Sequence, residues 1–194
     1  MLSFSSTKHP EVNLIPISEP SSGADIEDPS TNAKIIQLLD RHKATYKTLI
    51  HAPTRTSQES ADVRGVPLSS GAKAMLLRGK KNALQGGNTF CLAVLSASSK
   101  ADLKRLKTVL GVKELSMATE LEVKNVTGCV PGAVPPFGSL FESVITIADN
   151  SLQKQGPCLN FNAGLRTQSV IGLSTKEYYE IEKPLSADFS TEIE

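Results

Sequence analysis

Lys73 stands within Gly71-Ala72-Lys73-Ala74-Met75-Leu76-Leu77, a lysine between two alanines at the head of an apolar run. Such a side chain either lays its stem on apolar surface and keeps its ammonium in water, or points it into a cavity floor. In the second case a fixed cation could hold a phosphate or a developing negative charge. A second stretch, Gly128-Cys129-Val130-Pro131-Gly132-Ala133-Val134-Pro135-Pro136-Phe137-Gly138, puts three glycines and three prolines into eleven residues. Proline has no N–H, so main-chain donors are confined to the residues between, notably Gly132, Ala133 and Val134. The segment is either a rigid connector or a loop whose N–H groups meet a ligand closely. Cys129 within it has no assignable partner base and reads as an inert thiol.

Other chemistries find little support. The histidines, His9, His42 and His51, all fall in the first 51 residues. His42 reads as a helix C-terminal cap, and His51 closes a strand without companions for a metal site. No HxxH, HxH or DxD occurs, so no metal is expected, and neither a P-loop nor GxGxxG is present to cradle a nucleotide. No cofactor is expected. Cys91, Cys129 and Cys158 are odd in number and widely spaced, which fits a reduced, cytoplasmic setting better than a disulfide framework. No apolar run approaches the ~18–20 residues of a membrane span, and the start lacks the pattern of a secretory signal.

The 194 residues carry a net charge of only +1, so any attraction to nucleic acid must be local. Between residues 72 and 113 it is. Lys73, Arg78, Lys80, Lys81, Lys100, Lys104, Arg105, Lys107 and Lys113 face a single acid, Asp102, giving +8. Lys100, Lys104 and Lys107 are expected on one helix face, with Leu103, Leu106 and Leu110 opposite. Such a face is either simply solvated or suited to an RNA backbone, with Arg78, Lys80, Lys81, Lys100, Lys104 and Lys107 as the contact candidates.

The elements that must position these residues alternate. Ser30 or Thr31 is expected to cap a helix over residues 32–42, with Ile35, Ile36, Leu38 and Leu39 as its buried stripe. A strand over 46–50 is followed by a helix with a capping box at Thr56–Glu59, ending at Gly65. Strands are expected over 72–77 and 90–96, joined by a turn-rich 80–88. Ser99 is expected to cap a helix over 100–110. A short strand over 115–118, a helix over 119–126, strands over 144–148, 158–162 and 169–173, and a helix over 175–181 complete the pattern. Residues 1–31 are rich in Ser and Pro and carry −4, which predicts a disordered extension. Residues 184–194 read as an acidic tail. The fold class is therefore α+β: one domain over 32–183, a mixed sheet or barrel-like core with helices packed outside.

The lysine segment, the 128–138 loop, Asp149-Asn150-Ser151-Leu152 and Phe161-Asn162-Ala163-Gly164, in this order and spacing, resemble the YbaK/prolyl-tRNA synthetase-associated domain family of aminoacyl-tRNA editing deacylases. The resemblance runs from about Ala33 to Ile181. It implies hydrolysis of the ester joining a small, mischarged amino acid to tRNA, by water assisted by substrate hydroxyl and backbone groups. It places the family's strand lysine on Lys73 and its G-x-x-x-P loop on Gly132–Pro136. Lys73 and Gly132 are the implied catalytic positions. Gly128, Ala133, Val134, Pro135, Pro136, Gly138, Asp149, Asn162 and Gly164 are the implied substrate contacts. A polar late-strand group of relatives falls near Gln168 or Ser169, neither charged here. The implied partners are aminoacyl-tRNA and a synthetase or synthetase complex, not DNA or a membrane. A different class, a non-catalytic tRNA-binding or assembly subunit of a synthetase complex, would keep the same fold and basic face.

Overall fold

A computed structural model describes residues 27–80 and 88–192. In chain order these form α1 (Ser30–Arg41), β1 (Lys47–Ile50), α2 (Ser57–Arg64), β2 (Ala72–Lys80), β3 (Asn88–Ser96), β4 (Ser99–Ala101), α3 (Leu103–Leu110) and β5 (Glu114–Met117). There follow α4 (Glu120–Thr127), β6 (Val144–Asp149), α5 (Ser151–Lys154), β7 (Cys158–Leu165), β8 (Gln168–Ser174), α6 (Thr175–Glu182), β9 (Leu185–Ala187) and β10 (Ser190–Glu192).

Three sheets organise the domain. A five-stranded mixed sheet runs β5-β2-β3-β6-β9, antiparallel from β5 to β3 and parallel from β3 to β9. An antiparallel sheet runs β1-β8-β7, and β10 pairs with β4. Gly71, just before β2, bridges Asn160 of β7 and so joins the two larger sheets. The Phe90–Leu95 run of β3 is apolar on both faces because both are covered. Leu92 and Val94 enter the main core with Ile35, Leu39, Phe137, Phe161 and Tyr178, while Cys91, Ala93 and Leu95 enter a second core with Leu106, Ile147 and Phe189.

Local chemistry explains the helix ends. Thr56 and Thr119 each accept from the backbone three residues on, and Glu59 and Glu122 return the bond, completing two capping boxes. Gly65, Gly111 and Gly128 end α2, α3 and α4 in the left-handed conformation.

Three expectations need correction. Neither Ser30 nor Thr31 caps α1 with its side chain. The helix starts at Ser30, Asp28 accepts from the Ser30 N–H, and Thr31 is buried with its hydroxyl on the Thr127 carbonyl at 2.6 Å. The helix expected from Ser99 begins only after Asp102, which accepts from the N–H groups of Lys104 and Arg105. Residues 99–101 are drawn instead into β4, and Lys100 therefore does not share the α3 face. The third concerns residues 184–194, read as a tail beyond the domain. Of these, 185–192 pair with β6 and β4, and Phe189 is fully buried. One aromatic side chain in a core outweighs the acidic composition around it. At the other end Glu27 accepts from the Arg166 N–H, so the folded region begins before residue 32; residues 1–26 of the expected extension lie outside the described residues.

Candidate active site

The 128–138 loop is fixed by its carbonyls. Arg166 donates to Pro131 O at 3.0 and 3.1 Å, and Asn162 Nδ2 to Gly132 O at 2.8 Å. Gly164 N donates to Ala133 O at 2.9 Å, and the Tyr178 hydroxyl to Pro136 O at 3.0 Å. In a trans peptide the N–H points opposite to the C=O. Tying Pro131 O and Ala133 O toward Arg166 and β7 therefore turns the Gly132 and Val134 N–H groups the other way. Ala133 N is not available, because it closes a turn onto Val130 O at 3.1 Å. Of the three donors considered from sequence, two remain for a ligand.

Both belong to a cleft. Its walls are Arg55, Thr56, Ser57, Ser60 and Arg64 of the α2 region, the Gly71–Ala74 segment with Ala97, and Gly132, Val134 and Asn162. The enclosed space is about 90 Å³, well below the ~300–1,000 Å³ of sites for drug-sized ligands. Lys73 is half-buried here and donates to Ser99 O. The cations Arg55, Arg64 and Lys73 line the cleft, and among its described lining residues there is no Asp or Glu. Burial lowers the Lys73 pKa and brings the Arg64 guanidinium down to about 10, which keeps Arg64 charged at neutral pH.

Arg64 escaped the sequence reading. Its Nε donates to Ser169 Oγ at 2.8 Å and its Nη2 to Asn162 Oδ1 at 2.5 Å. Ser169, fully buried, lies 2.7 Å from His51 Nε2, whose Nδ1 lies 2.8 Å from Ala52 O. The carbonyl can only accept, so Nδ1 carries the proton and Nε2 accepts from Ser169. Burial pushes the His51 pKa down, the Ala52 contact opposes this, and Arg64 pushes it further down. Of Gln168 and Ser169, between which the resemblance set a polar late-strand position, Ser169 is the one in this hydrogen-bonded set.

The remaining expected residues lie apart from the cleft. Gly128 caps α4, and Pro135 and Pro136 are buried. Gly138 N donates to Thr146 Oγ at 2.9 Å, and a Cβ there would meet that oxygen at 2.3 Å. Gly164, at φ +85, lets β7 approach α1, where a Cβ would lie 2.7 Å from Asn32 N. Asp149 is buried among donors from Ser151 N at 2.9 Å, Phe189 N at 2.7 Å and the Ser190 hydroxyl at 2.8 Å. Cys129 is buried and its thiol pKa raised, chiefly by burial. Of the basic residues, Arg78 pairs with Glu122 at 2.7 Å and Lys80 with Glu114 at 3.9 Å. Lys100 is exposed on β4, Lys104 and Lys107 are exposed on α3, and Lys81 lies outside the described residues.

With this geometry in place, the family model of the aminoacyl-tRNA editing domain matches residues 51–178. The chain belongs to that family. The multifunctional Ser/Thr-tRNA deacylase ProXp-y of Escherichia coli (strain K12) is 35% identical over 159 residues, covering 82% of this chain and 92% of that protein. A prolyl-tRNA editing protein ProX of Acetoanaerobium sticklandii is 26% identical, covering 84% and 96%. A proline–tRNA ligase of Trichlorobacter lovleyi is 28% identical over 69% of this chain but only 22% of the ligase. Among solved structures, the protein APE2540 superposes with a TM-score of 0.70 at 22% identity over 81% of this chain and 99% of its own. A candidate trans-editing enzyme for prolyl tRNA synthetase gives 0.68 at 23% identity over 83% and 97%. The editing-domain fold accounts for the mixed sheet with flanking helices. Among the described residues no helix is long and apolar enough to cross a membrane.

Proposed function

We propose that this chain is a trans-acting aminoacyl-tRNA deacylase that hydrolyses the ester of a small, hydroxyl-bearing amino acid. The observation that carries the reading is one cleft of about 90 Å³ holding Lys73, Arg64 and the outward N–H groups of Gly132 and Val134. Lys73 meets only the neutral Ser99 carbonyl, so a substrate phosphate completes its pairing. Lys73 and Arg55 take the terminal phosphate of the tRNA, and the aminoacyl group enters beside Ala72, Ala74 and Val134. Thr56 and Ser57 bring hydroxyls to the wall beside its side chain, while the Ser60 hydroxyl is held by Thr54 Oγ and Thr56 O. A wall that hydrogen-bonds a substrate hydroxyl discriminates better than an apolar wall that counts methylenes. The 35% identity to a Ser/Thr-tRNA deacylase supports the same side chains.

Water attacks the ester carbonyl while the vicinal ribose hydroxyl of the substrate takes its proton and passes its own proton to the departing ester oxygen. The new C–O bond forms as the carbonyl becomes an oxyanion, which the Gly132 and Val134 N–H groups receive. Collapse breaks the ester bond and releases a free amino acid and a tRNA with both terminal hydroxyls. No side-chain nucleophile is required. Exposed Lys104 and Lys107 on α3 and Lys100 on β4 supply backbone contacts further along the acceptor stem, in an electrostatic and sequence-independent way. The match to 22% of a proline–tRNA ligase supports a domain that works beside a synthetase.

The test is release of amino acid from tRNAs charged with Ser, Thr, Ala, Cys and Pro. Seryl- or threonyl-tRNA is expected to be cleaved fastest, well above the protein-free rate. Protein-free rates for all five esters, with tRNA still bound, would overturn the deacylase and favour the assembly-subunit class.

A further inference from the structure

We propose that Arg64 is the positioning residue of the cleft, setting the main-chain donors of the 132–134 segment through Asn162. The inference deepens the deacylase reading and rests on it for its activity readout.

Arg64 fixes which atoms accept at the centre of the set. A guanidinium only donates, so its Nη2 makes Asn162 Oδ1 an acceptor and its Nε makes Ser169 Oγ an acceptor. The Asn162 amide is thereby held in one of its two flip states. Its Nδ2 faces Gly132 O at 2.8 Å, whereas the opposite flip would set two oxygens against each other. On the other arm Ser169 Oγ accepts from Arg64 Nε and has one proton for two acceptors, His51 Nε2 at 2.7 Å and Asn162 Oδ1 at 3.1 Å. The shorter contact, beside an Nδ1–H on Ala52 O, assigns that proton to His51. Both arms end on rigid acceptors, Gly132 O and Ala52 O. The Gly132–Ala133 peptide sits between the two N–H groups aimed at the oxyanion. A rotation of that peptide misdirects both, and misplacing a catalytic group by about 1 Å can cost on the order of 10²-fold.

The fork matters here more than the charge. A lysine keeps the cation but presents one ammonium where two parallel donors are used. Burial of Arg64 among neutral groups is unfavourable for folding, and its bonds to Ser169 and Asn162 offset part of that cost.

The experiment compares the full-length wild type with Arg64→Lys, Arg64→Gln, Asn162→Asp and the Arg64→Gln/Asn162→Asp pair, using seryl-tRNA. Asn162→Asp offers Arg64 a carboxylate, so its fold is kept, but it removes the donor to Gly132 O. Expected are kcat losses of about 10–100-fold for each variant, Lys no better than Gln, with KM within about threefold. The double variant should be no worse than the poorer single one, because both act through one chain of bonds. In parallel, the Gly132 and Val134 backbone amide resonances of the free protein should move in all four variants. Arg64→Lys at the wild-type rate, or a raised KM with unchanged kcat, would show that Arg64 docks substrate by charge and overturn the proposal. So would unmoved Gly132 and Val134 amides. If wild type cleaves no ester, the functional reading fails, and the amide resonances alone decide whether Arg64 positions the loop.

Discussion

Two buried charged regions of this domain are built from the same materials and end in opposite situations. Around Asp149, a carboxylate is surrounded by three donors from the chain itself, two backbone N–H groups and a hydroxyl. Around Lys73 and Arg64, cations are held by carbonyl, amide and hydroxyl oxygens, with no acid among the described cleft residues and open space beside them. The first region is complete as folded. The second leaves its cations beside an open cleft. A buried charge by itself does not indicate a site; a buried charge whose counterpart is missing beside a cavity does. This distinction separates Asp149, which sequence motifs had grouped with the substrate contacts, from Arg64, which they had not.

The largest effect that sharpens the contrast is on stability. Asp149→Ala strips the partner from three donors and releases the Phe189 segment. It should cost about 3 kcal/mol, a fall in melting temperature of roughly 6–12 °C for a domain of this size, while kcat/KM per folded molecule stays at the wild-type value. Burial raises the Asp149 pKa, but the bonds from Ser151, Phe189 and Ser190 outweigh it and leave the group below its ordinary value. A carboxylate depressed in the folded state contributes stability above its unfolded pKa, about 3.9, and loses it as pH falls through the folded value. Denaturant midpoints below about pH 4 should therefore fall less steeply for Asp149→Asn than for wild type. An equal acid slope in both proteins would remove Asp149 from the structural account.

A smaller effect lies outside both regions. Lys104→Ala and Lys107→Ala remove exposed cations from α3 and should raise KM for aminoacyl-tRNA by about two- to threefold each. The dependence of log K on log salt should flatten by about one unit per cation, with kcat unchanged. An unchanged salt dependence would assign the α3 face to solvent.

Much of this arrangement could be read from local patterns. The capping boxes at Thr56–Glu59 and Thr119–Glu122, the glycine stops and the apolar β2 and β3 depend on neighbours within a few residues, and the chain follows them. Lys73 and Gly132 stood out because their surroundings are unusual in composition. What escaped depends on distant partners. Arg64 looks like an ordinary cation in the last turn of α2, where it suits the helix dipole; its role needs Asn162, 98 residues on. Phe189 lies in an acidic context that suggests a tail, yet Asp102 donates to its carbonyl at 2.7 Å and Asp149 takes its N–H. The Ser99 cap failed for the same reason, since β4 exists only because β10 is there to pair with it.

The most direct test of the central claim is single-turnover deacylation of seryl-tRNA by wild type and Lys73→Ala, alongside their thermal melts. The account predicts at least about a 100-fold slower cleavage by a variant that melts as wild type does, because Lys73 serves the substrate and not the core. Cleavage at the wild-type rate by a folded Lys73→Ala protein would contradict it and move the chemistry out of this cleft.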